Sequence, residues 1–201
     1  FSVGLGKRAT WPDDYFSHQH SFNINRYDTE NWYGSGTPLT GIVNGINYAL
    51  TIQRNSVFNP IYPRYGSTFS LNWEMTPPYS LFSNKDSTYY ANPELTDEER
   101  FKFLEYFKIK TKGEWYTTIA DNLVLKTKFE FGLLSEYNKD IGLPPFERFY
   151  VGGDGLQGYS MDGREIVGVR GYPNHPDLLS GSSGMPIYSK YSAELRYPIS
   201  L

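Results

Sequence analysis

The feature that most constrains the fold of this chain is a strict alternation of apolar and polar residues. In the segment Thr68–Thr76 apolar residues occupy one parity and polar residues occupy the other. The apolar set is Phe69, Leu71, Trp73 and Met75, and the polar set is Ser70, Asn72 and Glu74. A period of two residues predicts a β-strand with one apolar and one polar face. A helix would need a period near 3.6 and would scatter these residues around its axis.

The same alternation recurs along the chain and predicts about seven strands. They are Phe1–Gly6, His20–Tyr27, Ile46–Gln53, Thr68–Thr76, Phe101–Trp115, Leu123–Leu133 and Lys190–Ile199. Arg26 breaks the pattern, because its parity places it on the apolar face beside Phe22 and Ile24. Either a β-bulge shifts the register at Arg26, or the apolar band of the strand ends there.

Strand length and loop length favour an antiparallel transmembrane β-barrel. Several segments reach about nine residues, which is the length that a tilted membrane-spanning strand needs. Short connections at Trp11–Tyr15, Tyr62–Ser67 and Asp121–Asn122 alternate with long ones at Asn31–Gly41, Pro77–Arg100 and Leu134–Lys190. Barrels have this asymmetry, with short periplasmic turns and long extracellular loops. Alternation by itself also fits a soluble antiparallel sheet, so it favours the barrel only modestly.

Composition limits the functions that the chain can have. The 201 residues carry a net charge of −3 and include no cysteine, which excludes disulfides and thiolate metal sites. A slightly acidic chain offers no electrostatic footprint for nucleic acid. His18 and His20 share a strand face without a third ligand nearby, and no Gly-x-Ser-x-Gly motif is present. We therefore expect no metal, no cofactor, no catalytic residue and no enzymatic activity.

The candidate functional residues lie in a glycine-rich loop from Gly142 to Tyr172. Long loops of specific composition are usually functional. The first half of this loop contains an aromatic and acidic run that ends in paired glycines: Phe146, Glu147, Phe149, Tyr150, Gly152 and Gly153. The second half ends in the tetrapeptide Val169, Arg170, Gly171 and Tyr172. Glycine on both sides of Arg170 lets the backbone turn sharply, and a guanidinium binds a carboxylate with two parallel hydrogen bonds.

These two halves, in this order and before a strand, resemble the sixth extracellular loop of the BamA family of outer-membrane protein insertases. The resemblance implies that the chain, residues 1–201, is a partial barrel. It would hold the sixth to twelfth strands of a sixteen-stranded whole. Residues 134–190 would form a long extracellular loop that folds into the lumen. There Arg170 would pair with Glu194 on the following strand and brace the barrel from inside.

The function that the resemblance implies is the insertion and folding of β-barrel proteins in the outer membrane of a Gram-negative bacterium. The implied partners are outer-membrane lipids, nascent outer-membrane proteins and the accessory lipoproteins of the BAM complex. A related two-partner secretion barrel, which shares the arginine tetrapeptide, is one alternative. A diffusion porin with the loop as its pore constriction is another. We also expect the chain to be part of a longer protein, with unpaired edge strands near Phe1–Gly6 and Tyr191–Ile199.

Overall fold

The computed structural model describes residues 1–32, 39–83, 85, 89–152, 165–172 and 183–199. Strands dominate these residues, and helical structure is limited to short turns. The strands are β1 (Ser2–Arg8), β2 (Phe16–Trp32), β3 (Leu39–Asn55), β4 (Gly66–Met75), β5 (Phe107–Ala120), β6 (Leu123–Ser135), β7 (Phe149–Val151), β8 (Glu165–Val167) and β9 (Ile187–Arg196). The helical turns are α1 (Tyr79–Phe82), α2 (Asp97–Arg100) and a 3₁₀ turn at Pro145–Glu147. No helix in the described ranges is long and apolar enough to cross a membrane.

Seven of the strands form one antiparallel sheet in the order β1-β2-β3-β4-β5-β6-β9. Every strand pairs with its neighbour in sequence, except that β6 pairs with β9 across the long loop. β1 and β9 are the two edges, and within the described residues neither has a second partner strand. This confirms the predicted all-β, antiparallel, partial barrel. An open sheet of this kind leaves a row of backbone donors and acceptors at each edge.

β2 and β3 are longer than the alternation predicted, at 17 residues each. Their pairing runs through Arg26 without interruption, and the register shifts only between Thr29 and Trp32. The bulge alternative at Arg26 is therefore wrong, and the apolar band ends there instead. Beyond it Asp28 and Glu30 stay exposed on the same face. The strand continues because backbone hydrogen bonds do not depend on what the side chains face.

The predicted start of the fifth strand at Phe101 is also wrong, because β5 begins at Phe107. The preceding segment runs parallel to β3: the Asn44 amide donates to the Lys102 carbonyl at 3.0 Å, and the Leu104 amide donates to the Asn44 carbonyl at 2.9 Å. β4 ends at Met75 and leaves this part of β3 without a partner strand. Unpaired backbone groups are costly when buried, so the segment before β5 supplies their partners.

The short connections lie together at one end of the sheet, as predicted. One of them, which joins β3 to β4, reaches across to later strands. The Tyr62 hydroxyl lies 2.8 Å from the Asn122 carbonyl oxygen and 3.0 Å from that of Arg196. At the opposite end, α2 begins with a capping box: Thr96 accepts from the Glu99 amide, and the Glu99 side chain accepts from the Thr96 amide.

The two faces of the sheet differ as the alternation predicts. Asn72 pairs with Lys110 and Glu74 with Lys108 across β4 and β5, and directly paired residues lie on one face. We call this the polar face, and the opposite one, with Trp73 and Ile109, the apolar face. The main buried cluster lies between the outer end of the polar face and the long loop. It consists of Val43, Leu104, Tyr106, Leu134, Phe146, Phe149 and Val167.

Cysteine labelling can test which side chains of β4 face lipid and which face water, because the chain has no native cysteine. In the full-length protein in membranes, Asn72→Cys should react with a water-soluble maleimide. Trp73→Cys should be protected from that reagent and react with a lipid-soluble one, because adjacent strand residues point to opposite faces. The reverse labelling pattern would contradict the assignment of the apolar face to lipid.

Candidate functional site, a loop docked on the polar face

The aromatic run of the long loop packs onto the polar face of the sheet. The Phe146 ring stacks on Tyr27 of β2, with centroids 5.1 Å apart and planes 5° from parallel. Phe149 and Tyr150 are fully buried. The Phe149 ring meets Tyr188 of β9 edge to face at 4.8 Å. Burial of aromatic rings of this size contributes a few kcal/mol each, so this packing is a large part of what holds the loop.

A glycine in β6 makes room for this packing. At Gly132 an added Cβ would lie 2.8 Å from the Phe149 ring and still closer to the Tyr188 ring, closer than atoms tolerate. Gly184, at a φ of 66°, lies against Tyr150 in the same way, with 2.9 Å to an added Cβ. Glycine within a strand often marks such a close approach. The absence of a side chain at Gly132 therefore allows the loop to dock against β6.

The loop also folds on itself. β7 and β8 pair in parallel, Phe149 with Glu165 and Val151 with Val167. The Phe149 amide donates to the Met185 carbonyl at 2.9 Å, and the Gly152 amide donates to the Val167 carbonyl at 3.1 Å. These bonds satisfy backbone groups that would otherwise be buried without partners. They also bring Glu147 and Glu165, which are far apart in sequence, to one point on the sheet.

At that point lies a cluster of buried charge around Lys108 of β5. Its side chain is only 3% exposed. The Lys108 Nζ lies 3.0 Å from the Glu147 Oε2 and 2.6 Å from the Glu165 Oε2. It also lies 4.9 Å from the centre of the Phe149 ring. Lys110 lies two residues further along β5 on the same face, and its Nζ lies 3.0 Å from the Glu165 Oε1. We call Lys108, Lys110, Glu147 and Glu165 the ion cluster.

From the alternation alone, the lysines of the polar face would be expected to be solvated. That expectation holds for Lys112, which is half exposed, and is wrong for Lys108. Burial of an unpaired ammonium costs several kcal/mol, so Lys108 requires both loop carboxylates close by. The sequence did contain a signal. Glu147 lies within an aromatic run, where a carboxylate can be buried only if it pairs with a cation.

A second band of charge continues along the polar face across β5, β6 and β9. Lys126 and Lys128 lie 3.4 and 3.9 Å from Glu114, and Lys190 lies 3.5 Å from Glu130. The Lys190 ammonium also donates to the Gly168 carbonyl oxygen of the loop. Opposite charges facing each other across strands stabilise a sheet modestly. The contact between Lys190 and Gly168 also holds the second half of the loop on β9.

The predicted pairing of Arg170 with Glu194 does not form among the described residues. The Glu194 carboxylate pairs instead with Arg196 on its own strand, at 2.9 Å. Arg170 is exposed, as are Gly171 and Tyr172, although its charge lies within electrostatic range of Glu194. Gly171 has a φ of 86°, which suits glycine. The role of Val169–Tyr172 as a brace stays a prediction, and Gly153 lies outside the described residues.

Nothing in the described part of the loop provides a metal site, since no cluster of three ligating side chains occurs there or elsewhere in the described residues. The docked loop instead connects strands that lie far apart in the sheet. It ties residues of β2, β5, β6 and β9 to one docked segment through Tyr27, Lys108, Gly132 and Tyr188.

Comparison with known proteins supports the interpretation of the sheet as a barrel. The sequence model of the Omp85 superfamily domain matches residues 48–201. This range includes β4 to β9, the second half of β3, the whole described loop and the ion cluster. No curated protein matches the chain significantly.

Substitution of the buried lysine tests the ion cluster. Lys108→Gln should weaken loop docking by about 3 kcal/mol, because two carboxylates lose their buried cation. The measurement is the rate at which a protease cleaves the loop in the folded protein. The matched control is Lys112→Gln, whose half-exposed ammonium lies 3.7 Å from Glu114. Exposed pairs contribute little, so the control should change cleavage less than fivefold. Equal cleavage rates in both variants would refute the role of Lys108.

Proposed function

Because the chain belongs to the Omp85 superfamily, we propose that it forms part of the barrel wall of a BamA-type insertase. Members of this superfamily are outer-membrane proteins of Gram-negative bacteria or organelles, which insert or translocate proteins. Within that range we propose the outer membrane of a Gram-negative bacterium. The proposed activity is the insertion and folding of other β-barrel proteins there.

The observation that carries this proposal is the docking of the aromatic run on the polar face. The segment that resembles the sixth loop of the BamA family is the segment whose Phe146, Glu147 and Phe149 contact the sheet. A loop that served only as a pore constriction would not need to be tied to strands so far apart in the sheet. This supports an internal brace over a diffusion porin.

The brace has a physical role in insertion. An insertase must open its barrel at a seam, and each backbone group that loses its partner in lipid costs several kcal/mol. A wall that deforms as a whole would lose many such bonds at once. The docked loop links β2, β5, β6 and β9, so it keeps this part of the wall rigid while strands elsewhere separate.

The remaining parts of the proposal follow from the same role. The clients would be nascent outer-membrane proteins, and accessory lipoproteins of the BAM complex and outer-membrane lipids would be the other partners. Val169–Tyr172 and Glu194 would act as a second brace, formed when Arg170 displaces Arg196 from Glu194. Insertion makes and breaks no covalent bond, so no residue is assigned a catalytic role and no cofactor is invoked.

Reconstitution of the full-length protein in liposomes, with its accessory subunits, tests the function. The wild-type protein should accelerate folding of an added unfolded barrel protein, followed by its change in gel mobility. Phe149→Ala should slow this reaction at least tenfold, because it removes the fully buried ring that holds the loop. Lys112→Gln serves as the control and should keep the wild-type rate.

The same liposomes separate insertion from secretion. A two-partner secretion barrel would carry a soluble polypeptide across the membrane into the vesicle lumen, where an added protease cannot reach it. Protease protection of such a substrate, without acceleration of barrel folding, would reject the insertase and favour the secretion alternative. Wild-type activity in Phe149→Ala would reject the brace while leaving the insertase intact.

A further inference from the structure

A cleft lies between α1, α2 and the segment that precedes β5. Its volume is about 440 Å³. Aromatic rings and cationic side chains dominate its lining. The aromatic residues are Tyr79, Phe82, Tyr89, Tyr90 and Phe103, and the cationic ones are Lys85, Arg100 and Lys102.

Two hydrogen-bond donors of this cleft lack partners among the residues that the structure describes. The Tyr79 hydroxyl and the Arg100 Nε are both buried and make no hydrogen bond. Buried donors in folded proteins are nearly always paired, and leaving them unpaired costs free energy. An occupant with acceptor oxygens would remove this cost.

The two carboxylates of the cleft are already engaged. Glu105 accepts from the Ser80 hydroxyl at 2.7 Å and from the Ser80 amide at 3.0 Å. Glu99 accepts from the Thr96 hydroxyl at 3.0 Å and the Thr96 amide at 3.2 Å. These bonds lower the pKa of the Glu99 carboxyl, which therefore stays ionised and in its cap. Neither carboxylate pairs with Arg100, whose charge remains available to an anion.

The position of the cleft on the sheet indicates what reaches it. Phe103 forms a bridge with Asn44, and Asn44 pairs with Arg26. Arg26 marks the level at which the apolar face changes from Phe22 and Ile24 to charged residues. Beside the cleft, Leu81 and Phe82 are 78% and 76% exposed. Adjacent apolar side chains with this exposure mark a contact surface, and at this level the neighbour is the outer headgroup layer.

We propose that this cleft binds the phosphorylated sugar headgroup of an outer-leaflet lipid. Arg100, Lys102 and the Tyr79 hydroxyl bind the phosphate oxygens, since guanidinium and ammonium groups make short, charge-assisted bonds to phosphate. The aromatic rings pack against the apolar faces of the sugar, and Leu81 and Phe82 contact the upper parts of the acyl chains. The inference rests on the proposed outer-membrane location and does not depend on insertase activity.

Binding to defined lipids tests the proposal, with the full-length protein in detergent and lipids detected by native mass spectrometry. The probe is a bisphosphorylated glucosamine disaccharide lipid. Its dephosphorylated form and phosphatidylglycerol are the comparison lipids, and both should bind at least tenfold more weakly. Arg100→Gln should weaken binding of the probe about tenfold and Tyr79→Phe about threefold. Lys139→Gln, an exposed lysine of the same end, should bind like the wild type.

Each other outcome counts against the proposal. Equal binding of phosphatidylglycerol would show that the sugar is not recognised, and equal binding of the dephosphorylated lipid would show that the phosphate is not. Unchanged binding in Tyr79→Phe, which keeps the ring and so the fold, would exclude this cleft even if Arg100→Gln misfolds. Displacement of the probe by an equimolar amount of free glucosamine 1-phosphate would identify a soluble sugar phosphate, not a lipid, as the ligand.

Discussion

The structure depends most on the requirement that the buried ammonium of Lys108 be paired. β5 places this charge on the polar face at a point where packing of the loop excludes water, and the side chain is 3% exposed. Only Glu147 and Glu165 lie within hydrogen-bonding distance among the described residues. The charge and the packing are therefore coupled. Without the loop, Lys108 would be solvated, and without Lys108, the largely buried Glu147 carboxylate would lose its cation and Glu165 would keep only Lys110.

Apolar contacts and charge have different parts in this docking. The buried rings of Phe146, Phe149 and Tyr150 supply most of the favourable free energy, because burial of apolar area is the larger contribution. A buried ion pair adds little net stability, but it penalises every arrangement in which its members are separated. Lys108 therefore selects one register of the loop on the sheet. Gly132 acts in the same direction, because a side chain there would clash with the docked Phe149 ring.

Local periodicity predicted much of the fold, and it failed where tertiary contacts decide. The alternation located all seven strands of the sheet and their faces. The ends of β2 and β3 were missed because backbone pairing continues after the apolar pattern stops. The ion cluster was missed because Lys108, Glu147 and Glu165 are far apart in sequence. The pairing of Arg170 with Glu194 was inferred from the family resemblance. In this structure Glu194 pairs with Arg196, a nearer cation on its own strand.

Hydrogen exchange of the full-length protein in lipid tests whether the loop keeps the folded conformation in which it docks on the sheet. The relevant amides are those of Phe149 and Gly152, which donate to the Met185 and Val167 carbonyls. Exchange of an amide requires that its bond open, so protection measures the free energy of local opening. We expect these amides to exchange as slowly as those of β5 and β6. Exchange at the rate of an unstructured loop would contradict it.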